Sequence, residues 1–216
     1  MGKDINTFHL VDNDVGFDDD QIESRLINDE LTIIISEEDL LASSTLNHQQ
    51  QNAYNAILQK VFRNQPGAFF IDGTGCTVKP YIYKALIATV RSKQLITLAI
   101  ASYSIAASIF PRDQTAHSRI KISLDKNAAC SVSKHGGFAR LIQLARLIIW
   151  DETPMSRKES IEALDKMLRN INNSELTFGG KVIVFGGDFR QVLSVVRKGI
   201  SQEQIDASFI LMDHTE

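Results

Sequence analysis

The sequence predicts an α/β domain in which a parallel sheet is covered by helices on both faces. Three observations lead there. Four short apolar runs, Ala68–Ile71, Leu95–Ala101, Leu147–Trp150 and 181–185, each stand next to a segment with helical spacing of apolar residues. Strands alternating with helices pair in parallel, because each crossover lays its helix on the sheet. A glycine-bearing loop and a lysine join the first run to the helix that follows it, the usual strand–loop–helix passage of such domains. Finally, 216 residues with 44% apolar and 7% aromatic side chains are enough for one good core.

Taken in order, the chain opens on an acidic stretch. The first 25 or so residues, with Asp18-Asp19-Asp20, lack sustained periodicity and read as mobile. Leu31-Thr32-Ile33-Ile34-Ile35 is β-rich and reads as a short strand, and Ser36-Glu37-Glu38-Asp39 reads as a helix start. From Asn47 an amphipathic helix is expected, with Ala53, Tyr54, Ile57, Leu58, Val61 and Phe62 at i, i+3, i+4, i+7 spacing. Asn64-Gln65-Pro66-Gly67 ends it. Further helices are expected near Tyr81–Arg91, Gly136–Ala145 and 157–171, between the four strands. Ligands of such sheets sit at the carboxyl ends of the strands, and the polar residues of interest here all follow strands.

Composition narrows the function classes. No window of about 18 uncharged apolar residues is present, so no membrane span is expected. The opening MGKDINTFHLVDND has no basic region followed by an apolar run, so it does not read as a secretory signal. Cys76 and Cys130 lie far apart without metal-ligand spacing, and a reduced intracellular compartment is the simple reading. The net charge of −3 hides an asymmetry. Residues 1–45 hold 12 acids and 2 bases, whereas residues 46–216 hold 14 acids and 21 bases. A basic body suits an anionic ligand such as nucleotide or nucleic acid. Scattered, solvated lysines account for the same numbers.

Phe69–Lys84 carries the most specific local pattern. Strand, glycine loop, lysine and helix is the layout of a Walker A phosphate loop, G-x-x-x-x-G-K-[ST], in which backbone N–H groups and the helix N-terminus cradle phosphate oxygens. Gly73 and Lys79 are in place, with Thr74, Gly75, Cys76 and Thr77 between. Val78 stands where the second glycine belongs and Pro80 where the Ser/Thr belongs. Valine is stiff and obstructs close backbone approach. Proline suits the first helical turn but offers neither an N–H nor a hydroxyl for Mg²⁺. An ordinary strand–turn–helix connection reads these residues equally well.

Two more strands end on polar groups. Leu147–Trp150 stops on Asp151 and Glu152, the Walker B arrangement, whose first acid holds Mg²⁺ and whose second orients or deprotonates the attacking water. Such an acidic pair also arises by chance. The run 181–185 leads into Gly186-Gly187-Asp188-Phe189-Arg190-Gln191, where the glutamine could touch a terminal phosphate or its water. A turn with surface polar residues explains that spacing as well. The hydroxyl-rich 101–107 and 115–118 segments, with Ser102, Ser104, Thr115, His117 and Ser118, can hold a nucleic-acid backbone. His117 has no second histidine or cysteine at metal spacing.

The order LNHQQQNAY (46–54), FFIDGTGCTVKPYIY (69–83), ASYSIAAS (101–108), TAHSRIKI (115–122), LIIWDETPM (147–155) and FGGKVIVFGGDFRQVLSV (178–195) resembles the Pif-type DNA helicases of superfamily 1, especially the plant branch related to Helitron transposons. The resemblance covers roughly Ile27 to Ser208. It implies a RecA-like P-loop domain of an ATP-dependent motor that moves 5′-to-3′ on single-stranded DNA with Mg²⁺. It further implies service in DNA repair, recombination and telomere maintenance, in the nucleus or the mitochondrion. By position, Gln50 resembles the adenine-reading glutamine and residues 73–80 the phosphate loop with its Lys79. Asp151 resembles the metal acid, Glu152 the catalytic acid and Gln191 the γ-phosphate sensor. Ser102, Ser104, Thr115, His117 and Ser118 resemble residues lining the DNA path.

The departures from the pattern shape the remaining expectations. Cys76 replaces a loop glycine, Tyr103-Ser104 stands where Ser-Gly is usual, and Ser194 replaces a proline. The resemblance fades at Phe209–Glu216. The expected organisation is therefore an acidic, partly disordered extension over residues 1–45 and an incomplete first RecA-like domain over 46–216, truncated after the third helicase motif and without the second. Three readings of function follow. One is a Pif-type helicase. Another is a catalytically inactive remnant that at most binds nucleotide or single-stranded DNA. The third, a P-loop phosphotransferase or switch, fits less well because the Leu-Asn-x-x-Gln and Gly-Gly-Asp-Phe-Arg-Gln segments have helicase counterparts. No oligomeric state follows from the residues.

Overall fold

The continuous apolar runs of the strands are explained by what lies on either side of them. In the computed structural model, which describes residues 19–72, 79–101, 136–156 and 158–188, β1 (Gly67–Asp72), β2 (Ile96–Ala101), β3 (Ala145–Asp151) and β4 (Val182–Gly187) form one sheet. The order is β1-β4-β3-β2 and every pairing is parallel. Leu98, Ile100, Ile148, Trp150, Ile183 and Phe185 point to one face, and Ala99, Ala101, Leu147, Ile149, Val182 and Val184 to the other. Both sets are buried, as parallel strands between helical layers must be.

Among the described residues six helices accompany the sheet: α1 (Asp19–Leu31), α2 (Glu37–Leu41), α3 (His48–Arg63), α4 (Lys79–Ser92), α5 (Gly137–Leu144) and α6 (Lys158–Asn172). The helices α3 and α4 cover one face, while α5 and α6 cover the other. The strand order explains the division. From β1 the chain crosses the sheet to β2 and then returns through β3 to β4. Right-handed crossovers running in opposite directions along a sheet place their helices on opposite faces.

Local chemistry sets the ends of these helices. Asn47 caps α3 in a capping box, its Oδ1 accepting from Gln50 N while Gln50 Oε1 accepts from Asn47 N. Asn64 closes the same helix in the left-handed conformation, at φ 52°. Ser36 caps α2 through Asp39 N, as its sequence suggests. Helix α5 runs directly into β3, because Ala145 N donates back to the last carbonyls of the helix while its own dihedrals are already extended.

Two expectations about the acidic segment are corrected. Leu31–Ile35 is not a strand: Leu31 ends α1, and residues 33–36 carry no regular structure. Thr32 bonds Asn28 O through both N and Oγ1, which closes the helix, and Ile34 is 93% exposed. The run is not buried, and among the described residues no strand stands beside it to pair with. Residues 19–25, read as mobile, belong to α1, which packs on α5 and edge strand β2. Its anchor is a buried ion pair, Arg91 Nη2 to Glu30 Oε2 at 3.0 Å. The close fit needs Gly137, where a Cβ would stand 2.7 Å from Glu23 Cα.

Candidate nucleotide site

Parallel pairing aligns the carboxyl ends of the strands. Asp72 lies opposite Gly187, and Ala101 opposite Asp151. Helix α4 starts at this edge with Lys79, which is 3% exposed. Its Nζ donates to Glu152 Oε1 at 2.7 Å and lies 3.4 Å from Asp151 Oδ1. The sequence separates this lysine from the acids by more than 70 positions, and the parallel sheet brings them together. Pro80 occupies the first turn of α4, where its missing N–H disturbs no helical bond.

Asp151, the last residue of β3, is 2% exposed. Glu152 follows with left-handed dihedrals (φ 54°, ψ 38°) and leads into the 3-10 turn Thr153–Met155. Thr153 Oγ1 donates to Trp150 O at 2.8 Å and fixes that turn. Asp188, one residue beyond β4, is also buried at this edge.

One site residue has no place in the sequence reading. Tyr83 is fully buried and its hydroxyl donates to Asp151 Oδ1 at 3.0 Å. It lies one helical turn after Lys79, so both side chains leave α4 on the same face. The phenol oxygen occupies the space where a side chain on Gly186 would stand: a Cβ there would be 1.5 Å from Tyr83 Oη. Burial foremost, and then the charge of Asp151 and the hydrogen bond to it, push the phenol well above its ordinary pKa. The available signal was the i, i+4 step from Lys79 to an aromatic residue with a polar tip.

The structure thus brings Lys79, Asp151 and Glu152 into one cluster and places Pro80 beside it. Gln50 sits in the first turn of α3, engaged in the capping box. Gly73, Thr74, Gly75, Cys76, Thr77 and Val78 lie outside the described residues, as do Ser102, Ser104, Thr115, His117, Ser118 and Gln191.

Two carboxylates against one ammonium could receive a polyanion together with a hard cation. Phosphate oxygens compete for the lysine, and carboxylate oxygens suit Mg²⁺, which commonly takes one or two of them and completes its shell with water and phosphate. Asp151 fits that donor role. Pro80 contributes no hydroxyl to it.

Comparison with known proteins settles the kinship. The model of the PIF1-like helicase family matches residues 45–212. The chain belongs to the PIF1-like helicase family. The ATP-dependent DNA helicase PIF4 of Trypanosoma brucei brucei is 26% identical over 176 residues, which are 77% of this chain and 20% of that protein. Unliganded Pif1 from a Bacteroides species aligns with a TM-score of 0.55 at 25% identity, over 74% of this chain and 35% of the other. Bacteroides Pif1 in complex with ADP-AlF3 and single-stranded DNA aligns with a TM-score of 0.56 at 23% identity, over 81% of this chain and 37% of the other. The chain therefore spans about a fifth of its curated relative and about a third of the solved helicases. The fold is that of the RecA-like domain of Pif1 helicases, a parallel sheet with helices on both faces.

Proposed function

We propose that this chain is the nucleotide-binding part of a Pif-type DNA helicase, which takes ATP with Mg²⁺ at the Lys79–Asp151–Glu152 cluster and engages single-stranded DNA. The observation that carries the reading is the meeting of the buried α4 lysine with Asp151, the last residue of β3, and with Glu152 just after it, in a member of a helicase family. A Bacteroides relative of the same fold was captured with ADP-AlF3 and single-stranded DNA.

The roles follow from the chemistry of each group. Lys79 is held by Glu152 until a phosphate replaces the carboxylate as its partner, so nucleotide entry exchanges one charge-assisted bond for another. That exchange frees Glu152 to accept a proton from, or orient, the attacking water. Asp151 would hold the magnesium ion, which offsets phosphate charge when bound. Gln191 is assigned to sense the terminal phosphate, Gln50 to read adenine, and Ser102, Ser104, Thr115, His117 and Ser118 to line the DNA path. Travel in the 5′-to-3′ direction and work in DNA repair, recombination and telomere maintenance belong to the same proposal.

Pro80 favours a second reading, in which the chain binds nucleotide and turns it over poorly or not at all. Proline at the first turn of α4 removes the hydroxyl and the N–H that a Walker A serine or threonine supplies. One experiment separates the two: Mg²⁺-dependent ATP binding and hydrolysis, with and without single-stranded DNA, for the natural chain and for Val78→Gly/Pro80→Thr. DNA-stimulated hydrolysis by the natural chain supports the helicase reading. Binding without hydrolysis, repaired by the double substitution, supports the second. Absence of ATP binding in both refutes both.

A further inference from the structure

We propose that Tyr83 is a positioning residue for Asp151, its buried hydroxyl supplying beside the metal-holding carboxylate the hydroxyl that Pro80 lacks. The inference rests on the nucleotide reading above and deepens it.

Three observations converge on it. Asp151 Oδ1 meets two groups from α4, Tyr83 Oη at 3.0 Å and Lys79 Nζ at 3.4 Å. They leave the helix one turn apart, so the helix places both against the same carboxylate oxygen. The two contacts have different fates when nucleotide arrives. Lys79 is drawn to phosphate, whereas Tyr83 is uncharged, wholly enclosed and has no phosphate to follow. The phenol therefore keeps hold of Asp151 after the lysine has left. The third observation is the space made for it: Gly186 of β4 has no side chain where the hydroxyl sits, and the ideal Cβ position lies within bonding distance of that oxygen. Partners that orient a metal-binding group commonly govern metal affinity about 10- to 100-fold.

A hydroxyl at position 80 would come from the first turn of α4, next to Lys79. The hydroxyl at position 83 reaches the acid from the second turn instead. A tyrosine thus takes over the orientation of the acid, while water and phosphate complete the ion's shell.

The test uses Mn²⁺ as a spectroscopic substitute for Mg²⁺ and ADP as the nucleotide. Electron paramagnetic resonance titrates Mn²⁺ into the chain with saturating ADP, for the natural protein, Tyr83→Phe, Pro80→Thr and the double variant. ADP affinity in EDTA and the melting temperature are measured alongside. The expected result is a loss of about tenfold or more in Mn²⁺ affinity for Tyr83→Phe. ADP affinity in EDTA changes far less, and Pro80→Thr in the Tyr83→Phe background regains most of the lost Mn²⁺ affinity. Unchanged Mn²⁺ affinity in Tyr83→Phe overturns the proposal and leaves the nucleotide reading intact. A parallel fall of both affinities and of melting temperature, without rescue by Pro80→Thr, also overturns it, since a purely structural tyrosine behaves so. Failure of the natural chain to bind ADP under either condition overturns the nucleotide reading and this inference with it.

Discussion

At the residue scale, Gly186 and Tyr83 make the sharpest demand on sequence. Any side chain at position 186 meets the phenol oxygen, and the ring is too enclosed to swing aside. Gly186→Ala is expected to cost about 3 kcal/mol in urea unfolding, at the upper end for overpacking a core. In the Tyr83→Phe background the cost falls, because the nearest obstructing atom is gone, and the double-mutant cycle is non-additive. Lys181 makes a different demand at the opposite edge of the sheet. Its ammonium donates to Gln143 O at 2.6 Å and Ala145 O at 3.0 Å, tying the end of α5 to the start of β4. Burial, and then Arg146, lower its pKa from 10.5 to about 8. Between these values the unfolded chain still carries a proton that the folded chain has released, so stability rises with pH through that window. Urea unfolding of the natural chain should gain about 1–2 kcal/mol between pH 8 and 9.5 relative to Lys181→Met.

At the element scale, α1 shows how an acidic segment joins a domain. Glu30 and Arg91 are both nearly sealed from water, and Arg91 Nη2 also donates to Thr97 O. A pair of this kind adds little over an apolar contact, but removing one partner strands the other. Glu30→Ala is expected to destabilise the chain by about 3 kcal/mol and to raise amide exchange along α1. Glu30→Leu combined with Arg91→Met should recover much of that loss. This docking was illegible in the sequence for a physical reason. Local periodicity reports one helix's apolar face, while Glu30 earns its burial from a charge 61 positions away. The well-marked helices were legible because their signals are local: Asn47 with Gln50 caps α3, and Asn64 ends it. The run Leu31–Ile35 misled because β-propensity counts side chains and not neighbours, and among the described residues no strand lies beside it.

At the scale of the whole molecule, the site exists only because four strands end together. Strand β4 lies between β1, which precedes the helix of Lys79, and β3, which ends on Asp151 with Glu152 next, so the sheet sets the distance between the lysine's helix and the acids. The cluster of Lys79, Asp151 and Glu152 was readable as two separate motifs, and its assembly follows from the parallel pairing that the alternating strands and helices predicted. Tyr83 was not readable in this way, because an aromatic residue at helical spacing looks like ordinary core. If nucleotide binds here, it stabilises the entire cooperative unit. ATP with Mg²⁺ at about 100 times its Kd should raise the melting temperature by roughly 5–10 °C. Lys79→Met should abolish the shift. A shift that survives Lys79→Met would place the nucleotide elsewhere.

The left-handed backbone at Glu152 carries a consequence for anyone who dissects this site. Most residues with a Cβ are strained by about 1–2 kcal/mol in that conformation, whereas asparagine tolerates it better and glycine adopts it freely. Alanine there deletes a carboxylate and keeps the strain, glycine deletes both, and asparagine keeps a polar tip at lower strain. A substitution series at this one position therefore separates the chemistry of the side chain from the shape of the peptide that presents it.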